Sequence, residues 1–264
     1  MNEAILWAAA GTGFTFLMTT LGSGTVFFFR KAVSETAQRI FLGFAAGVMI
    51  AASVWSLLIP AIEEAEAAGQ VGWIPAAGGF LLGVALLMLL DFVTPHLHPG
   101  AQVPEGAPSG MGRTSLLVLA VTLHNVPEGM AVGLSFALAA QHGGDPALYT
   151  AAMALAIGIG IQNFPEGAAI SLPLRQEGMR PRKAFAMGSL SGAVEPVFGV
   201  LAVLVAGAAR PVMPWLLSFA AGAMLYVVVE ELIPEAHLGE HSHTGTLGVM
   251  GGFLVMMILD VALG

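Results

Sequence analysis

The chain has no cysteine among its 264 residues, which excludes disulfide staples and thiolate metal sites. Any metal chemistry must therefore use His, carboxylate, amide or Met. Charge is also scarce: 10% of residues are charged against 56% apolar, and the mean hydropathy is +0.83. A water-soluble domain of this length does not have that balance, so the chain is read as an all-α integral membrane protein. The formal charge of −8 comes from 17 acidic and 9 basic residues, but several carboxylates lie inside apolar runs. Net charge is thus no guide to soluble partners, and nucleic acid is not expected among them. Neither G-x-x-x-x-G-K-[ST] nor H-E-x-x-H occurs, which removes ATP drive by this chain and argues against a zincin-type hydrolase. The amino terminus has Glu3, no basic n-region and an apolar run of about 25 residues, features of a first span rather than a cleaved signal peptide.

What is present is a series of long apolar runs. A hydrocarbon core of about 30 Å needs roughly 20 residues of helix. Eight runs meet or approach that length, at about 5–29, 40–62, 71–93, 115–140, 147–174, 184–209, 212–233 and 246–263. The runs are continuous rather than short and alternating, which predicts helices and not a barrel. Arg30, Lys31 and Arg39 fall between spans 1 and 2, Arg113 between 3 and 4, and Arg175, Arg180, Arg182 and Lys183 between 5 and 6. Only Arg210 falls on the other side. The positive-inside rule then predicts both termini outside the cytoplasm, in a multi-pass protein of the cell (inner) membrane. Residues 1–264 are expected to form a single transmembrane domain.

An internal repeat runs through these spans. F-A-A-G-V-M-I at 44–50, followed by L-I-P at 58–60, resembles F-A-A-G-A-M-L at 219–225, followed by L-I-P at 232–234. G-G-F-L at 78–81, leading to Asp91, resembles G-G-F-L at 251–254, leading to Asp260. Span 2 thus echoes span 7, and span 3 echoes span 8. Partners five spans apart cross in opposite directions, so spans 1–3 and 6–8 form an inverted repeat around a reversed pair, spans 4 and 5. Transporters are frequently built this way, with the substrate site at mid-membrane.

The same awkward pattern stands twice in that central pair: H-N-V-P-E-G at 124–129 and Q-N-F-P-E-G at 162–167. Helical spacing puts His124, Asn125 and Glu128 on one face, and likewise Gln162, Asn163 and Glu166. Pro127 and Pro165 each remove a backbone donor, which can free a carbonyl beside the polar face. Gly129 and Gly167 leave room for a neighbouring helix. Glu195, in V-E-P-V, and Met49 fall near the centres of spans 6 and 2. Intramembrane carboxylates cost roughly 2.5 to 3.5 kcal/mol each on insertion scales, and three of them without a buried Arg or Lys call for a cation. One imidazole with carboxylates and a thioether favours a borderline transition metal over Mg²⁺ or Ca²⁺, and bridging by Glu128 and Glu166 would let two ions share the cluster. Singly, each residue has a plainer reading: His124 as a packing hydrogen bonder, Met49 as a core side chain.

These motifs resemble the signature of the ZIP (Zrt-, Irt-like) family of divalent metal transporters, in its bacterial type, and the span arrangement covers essentially the whole chain. The resemblance implies a binuclear midplane site: one ion on Met49, His124, Glu128, Gln162 and Glu166, a second on Asn125, Glu128, Asn163, Glu166 and Glu195. It also implies a cytoplasmic exit station at Asp91, His96, His98 and Glu231, and a metal-capture or regulatory loop at His237, His241 and His243. The expected activity is transport of Zn²⁺ into the cytoplasm by alternating access, with Cd²⁺, Fe²⁺ and Mn²⁺ as further substrates and no organic cofactor. Gln162 and Asn163 stand where other members often carry His and a carboxylate, which leaves selectivity open. Two other classes use the same residues: an intramembrane metal-dependent hydrolase, and a proton or Na⁺ antiporter working through the carboxylates alone. Outside, Glu63, Glu64 and Glu66 would form either a cation-attracting patch or a solvated loop. Expected partners are the lipid bilayer, divalent metal ions and, as an option for assembly, a second copy of the chain.

Overall fold

A computed structural model describes residues 2–29, 34–95, 106–107, 110, 112–208, 210–237 and 243–263. Arg30, Lys31, His96, His98 and His241 lie outside the described residues, as do the side chains of Arg113, Arg210 and His237. The elements are α1 (Asn2–Gly24), α2 (Glu35–Ala52), α3 (Ile59–Ala67), α4 (Trp73–Val93), α5 (Arg113–Gln141), α6 (Pro146–Gln176), α7 (Pro181–Gly192), α8 (Val194–Ala208), α9 (Met213–Val227), α10 (Ile233–His237) and α11 (Thr244–Leu263). Seven segments are long and apolar enough to cross a membrane: Asn2–Phe27, Glu35–Ala67, Trp73–Val93, Pro146–Gln176, Pro181–Ala208, Met213–Ala236 and Thr244–Leu263. The protein is an all-helical multi-pass membrane protein, and each of these segments overlaps one expected run. The remaining run, 115–140, lies in α5, a helix of 29 residues that is not among the seven found among the described residues.

The helices sort into two groups. In one, α1 packs on α6 and α5 on α8, with α7 against α1, α5 and α6; in the other, α2 packs on α11 and α4 on α9. The second group shows the repeat in its contacts. Gly248 and Gly252 of α11 abut the carbonyls of Ile40 and Phe44, while Gly79 and Gly83 of α4 abut those of Trp215 and Phe219. Since Phe44 and Phe219 are equivalent, Gly83 corresponds to Gly252 and Gly79 to Gly248. The G-G-F-L match is therefore displaced by one helical turn from the three-dimensional equivalence. Small residues four apart present the same face at every turn, so a motif match slides along the helix without changing its packing face. The corrected register also carries Asp91 onto Asp260 without a gap. Asp260 accepts a hydrogen bond from Ser56 Oγ at 2.7 Å, and Asp91 one from Tyr226 Oη at 3.4 Å, each from the helix paired with its own.

Both repeats also loosen at the same place. π-helical turns occupy Ser53–Leu58 and Val228–Leu232, six and five residues long, immediately before Ile59-Pro60 and Ile233-Pro234. A proline ring crowds the carbonyl four residues back and supplies no N–H, and widening the preceding turn relieves the conflict. A third irregularity lies between α7 and α8 at Ala193, where Pro196 cannot donate to the Gly192 carbonyl. It places Glu195 in the first turn of α8.

Candidate metal centre

The two N-x-P-E-G copies lie on α5 and α6, which pack against each other. Gly129 and Gly167 have the role expected of them. A Cβ on Gly129 would stand 2.5 Å from the carbonyl oxygen of Glu195, so its absence admits α8; one on Gly167 would strike the backbone of Thr19, so its absence admits α1. Carboxylates from three helices, those of Glu128, Glu166 and Glu195, are thereby drawn together around facing amides.

Met49, His124, Glu128, Gln162 and Glu166 line one cavity of about 90 Å³. That is room for a few waters or a partly hydrated ion. Glu128 is 2% exposed and Gln162 1%, and Gln162 Nε2 donates to Glu128 Oε1 at 2.6 Å. The remaining oxygens Glu128 Oε2, Gln162 Oε1 and Glu166 Oε1 are buried without a hydrogen-bond partner among the described residues. Oxygen acceptors left unpaired around a cavity, beside an imidazole and a thioether, suit a divalent cation.

Asn125, Asn163 and Glu195 lie behind this cavity rather than on it, each fully buried. Asn163 Nδ2 is 3.0 Å from both Glu195 oxygens and 3.4 Å from the Thr15 carbonyl. Thr15 and Thr19 stand beside the Glu195 carboxylate, with their hydroxyls donating to the Thr12 and Thr15 carbonyls. Those two residues of α1 were not singled out in the sequence; Thr12, Thr15, Thr19 and Ser23, spaced three and four apart and all buried, are the signal that identifies them. Neither polar atom of Asn125 makes a well-formed hydrogen bond among the described residues, and its amide lies beside the Glu166 carboxylate.

Glu231, expected with Asp91 at the exit, instead has its carboxylate against His124 Nε2, because the π turn carries it inward from α9. It lines the cavity together with Glu235, four residues on, and Gln38 of α2. Glu235 and Gln38 were also unanticipated; the E-x-x-x-E spacing and the Gln38, Ala45, Met49 stripe mark them. Asp91 is separate from the cavity, at the end of α4. His243 is exposed before α11.

The cavity reaches half-exposed Gln38, Pro173 and Glu235 at the end of the bundle that also carries Arg39 and Arg175. Arg175 Nη1 donates to the carbonyls of Val26 and Phe29, fixing the ends of α1 and α6 on that same side. Toward the other end the path is closed by fully buried apolar residues, including Leu134, Leu155, Ile159, Leu217 and Met224.

Helices paired through an inverted repeat around a buried cluster of carboxylates, amides and one imidazole have the architecture of a transporter of the bilayer. A family model described as ZIP Zinc transporter matches residues 105–260. The chain is 38% identical to human Zinc transporter ZIP11, covering 100% of this chain and 99% of that protein. It is 41% identical to Zinc transporter ZIPB of Bordetella bronchiseptica, over 100% of this chain and 82% of that protein. It is 39% identical to Zinc transporter GufA of Myxococcus xanthus, over 88% and 89%. The chain belongs to the ZIP zinc transporter family. Its family is one of transporters, not enzymes, which sets the hydrolase reading aside.

Proposed function

We propose that this protein carries Zn²⁺ into the cytoplasm by alternating access to the cluster on α5 and α6. The observation that carries this reading is the set of unpaired buried oxygens of Glu128, Gln162 and Glu166, held with His124 and Met49 around one cavity. In this reading α5 is the fourth of eight spans in a single transmembrane domain. The basic end faces the cytoplasm, both termini lie outside, and the membrane is the cell (inner) membrane. The open cavity mouth is then cytoplasmic and the structure is inward-facing. A first ion takes Met49, His124, Glu128, Gln162 and Glu166; a second takes Asn125, Asn163 and Glu195, with Glu128 and Glu166 shared. Glu231 and Glu235 receive the ion on its way out, and Asp91, His96 and His98 hand it to solution. His237, His241 and His243 form a cytoplasmic capture loop. Cd²⁺, Fe²⁺ and Mn²⁺ fit the same mixed donor set. A homodimer meeting through lipid-facing helices is compatible with this arrangement.

Metal uptake into proteoliposomes tests the proposal, comparing the native chain with Glu128→Ala and His124→Ala. Zn²⁺ uptake by the native chain and its loss in both variants is the expected result. Uptake of every divalent metal at the native rate in both variants would place the binding site elsewhere.

A further inference from the structure

A second histidine of α5 makes a contact resembling that of His124. His142 caps the helix, 18 residues beyond His124. Five turns of helix put the two on one face, about 27 Å apart along the axis. His124 meets Glu231 from the π turn after α9; His142 Nε2 lies 3.0 Å from Glu64 Oε1 on α3. Both pairs run from the α1, α5–α8 group to the other group. The His142 pair does so at the closed end, opposite the cavity mouth.

The geometry around His142 holds the ring on two sides. Its Nδ1 is 3.1 Å from the Leu138 carbonyl while Nε2 faces Glu64, so both ring nitrogens face oxygen. On the His142 side, Gln141 Nε2 donates to the Ala206 carbonyl at 3.1 Å and Gly144 abuts Trp7, which fix the α5–α6 turn to its own group. On the Glu64 side, α3 packs on α4 and α9. Each partner is thus anchored to a different group, and movement of one group against the other must part them.

We propose that His142 and Glu64 form a latch across the closed outer end, made while the site opens to the basic end and broken when it opens outward. This rests on the alternating-access reading. The latch holds two packed bodies at their rim, where its carboxylate would otherwise belong to the acidic stretch Glu63, Glu64 and Glu66. Its side chains are 43% and 24% exposed, so it biases an equilibrium rather than locking it.

The absence of cysteine from the chain makes the test clean. Glu64→Cys with His142→Cys, joined in proteoliposomes by a short reductant-cleavable bifunctional reagent, is expected to stop metal uptake, with recovery on reduction. Each single-cysteine variant treated the same way should keep its uptake. Native-rate uptake after cross-linking, or failure of the two thiols to cross-link, overturns the latch. A second measurement needs no cysteine. Glu64→Gln should lower the KM for metal offered from outside by about two- to five-fold, through a larger outward-open population. The exchanged pair, Glu64→His with His142→Glu, should restore it. An unchanged or higher KM in Glu64→Gln overturns the proposal. Absence of uptake by the native chain would instead refute the transport reading itself, so the two failures are distinct.

Discussion

Gly129→Ala adds one methyl group at the point where α5 meets the backbone of Glu195. The new Cβ would lie 2.5 Å from the Glu195 carbonyl oxygen, 2.6 Å from its Cα and 2.9 Å from its carbonyl carbon. Relaxed contacts between carbon atoms need about 3.5–4.0 Å, so α5 and α8 must part by about 1 Å. No side chain can swing aside, because all three atoms are backbone. Overpacking of this kind costs about 1–3 kcal/mol, offset by the 0.5–1 kcal/mol or so that Ala gains over Gly inside a helix. A net loss of about 1–2 kcal/mol lowers the midpoint of thermal unfolding by roughly 2–8 °C. The same displacement draws Glu195 away from Asn163 Nδ2, now 3.0 Å from both of its oxygens, and loosens the back of the metal cluster. Loss of such a supporting partner typically weakens metal affinity by about ten-fold or more. Gly13→Ala is the control, since nothing lies within 4 Å of the Cβ it would add. It should leave the midpoint unchanged or raise it. Thermal unfolding in detergent and Zn²⁺ titration of both variants decide the matter: if Gly129→Ala matches Gly13→Ala in stability and affinity, the backbone contact does not set the position of Glu195.

Exchanging the unequal positions, His124→Gln with Gln162→His, keeps one imidazole but moves it away from Glu231; uptake assays with competing metals should show a changed Zn²⁺ to Mn²⁺ preference, and an unchanged ratio would mean that the imidazole's position does not select. Asn163→Asp replaces a donor by an acceptor beside Glu195, so the metal-free protein should unfold at lower temperature and gain more from added Zn²⁺ than the native chain, as read by thermal shift. Chelation should lower the native midpoint by an amount set by RT ln(1 + [metal]/Kd), and Glu128→Ala should remove that dependence. Gly47→Leu, which would drive a side chain into the Val249 and Phe253 backbone, should reduce folded yield, measured by monodispersity in detergent, far more than Gly251→Leu, where an added Cβ meets nothing within 4 Å.

Length and apolarity were enough to anticipate the seven apolar segments, because a bilayer demands about 20 residues of self-satisfied helix. Glu35–Ala67 and Pro146–Gln176 overrun the expected 40–62 and 147–174 only at their ends, where polar residues emerge from lipid. The paired motifs named four of the cavity residues, His124, Glu128, Gln162 and Glu166, for the same reason: a polar group in hydrocarbon stands out against its neighbours. Rotations inside helices were less legible. Glu231 sits near the end of an apolar run and reads as an exit residue; only the π turn, induced from downstream by Pro234, swings it to His124. The break at Ala193 has the same origin in Pro196. Thr15 and Thr19 escaped notice because a threonine returns its hydroxyl to its own helix, as Thr19 does to the Thr15 carbonyl at 3.3 Å, and so costs little in a membrane span. The repeat was visible in composition while its register was not, since glycine spacing fixes a face and leaves the turn undetermined.

The two motif copies, equal in spacing, do different work in this structure. The amides of the second copy act outward from their own motif: Gln162 donates to Glu128 of the first, and Asn163 to Glu195 of α8. The first copy supplies an imidazole directed to Glu231 and an amide, Asn125, that lies beside Glu166 without a well-formed hydrogen bond. Two carboxylates of the cluster therefore have an internal donor even without a cation. That matters for a carrier, which must return empty. Carboxylates facing one another in a low dielectric repel, and an empty site made only of acids would resist closing without protons or metal. Amide donors lower that resistance, at the cost of competing with the ion for the same oxygens. In the proposed site, Gln162 and Asn163, which stand where the family resemblance leads one to expect His and an acid, would thus set the balance between holding a metal ion and releasing it.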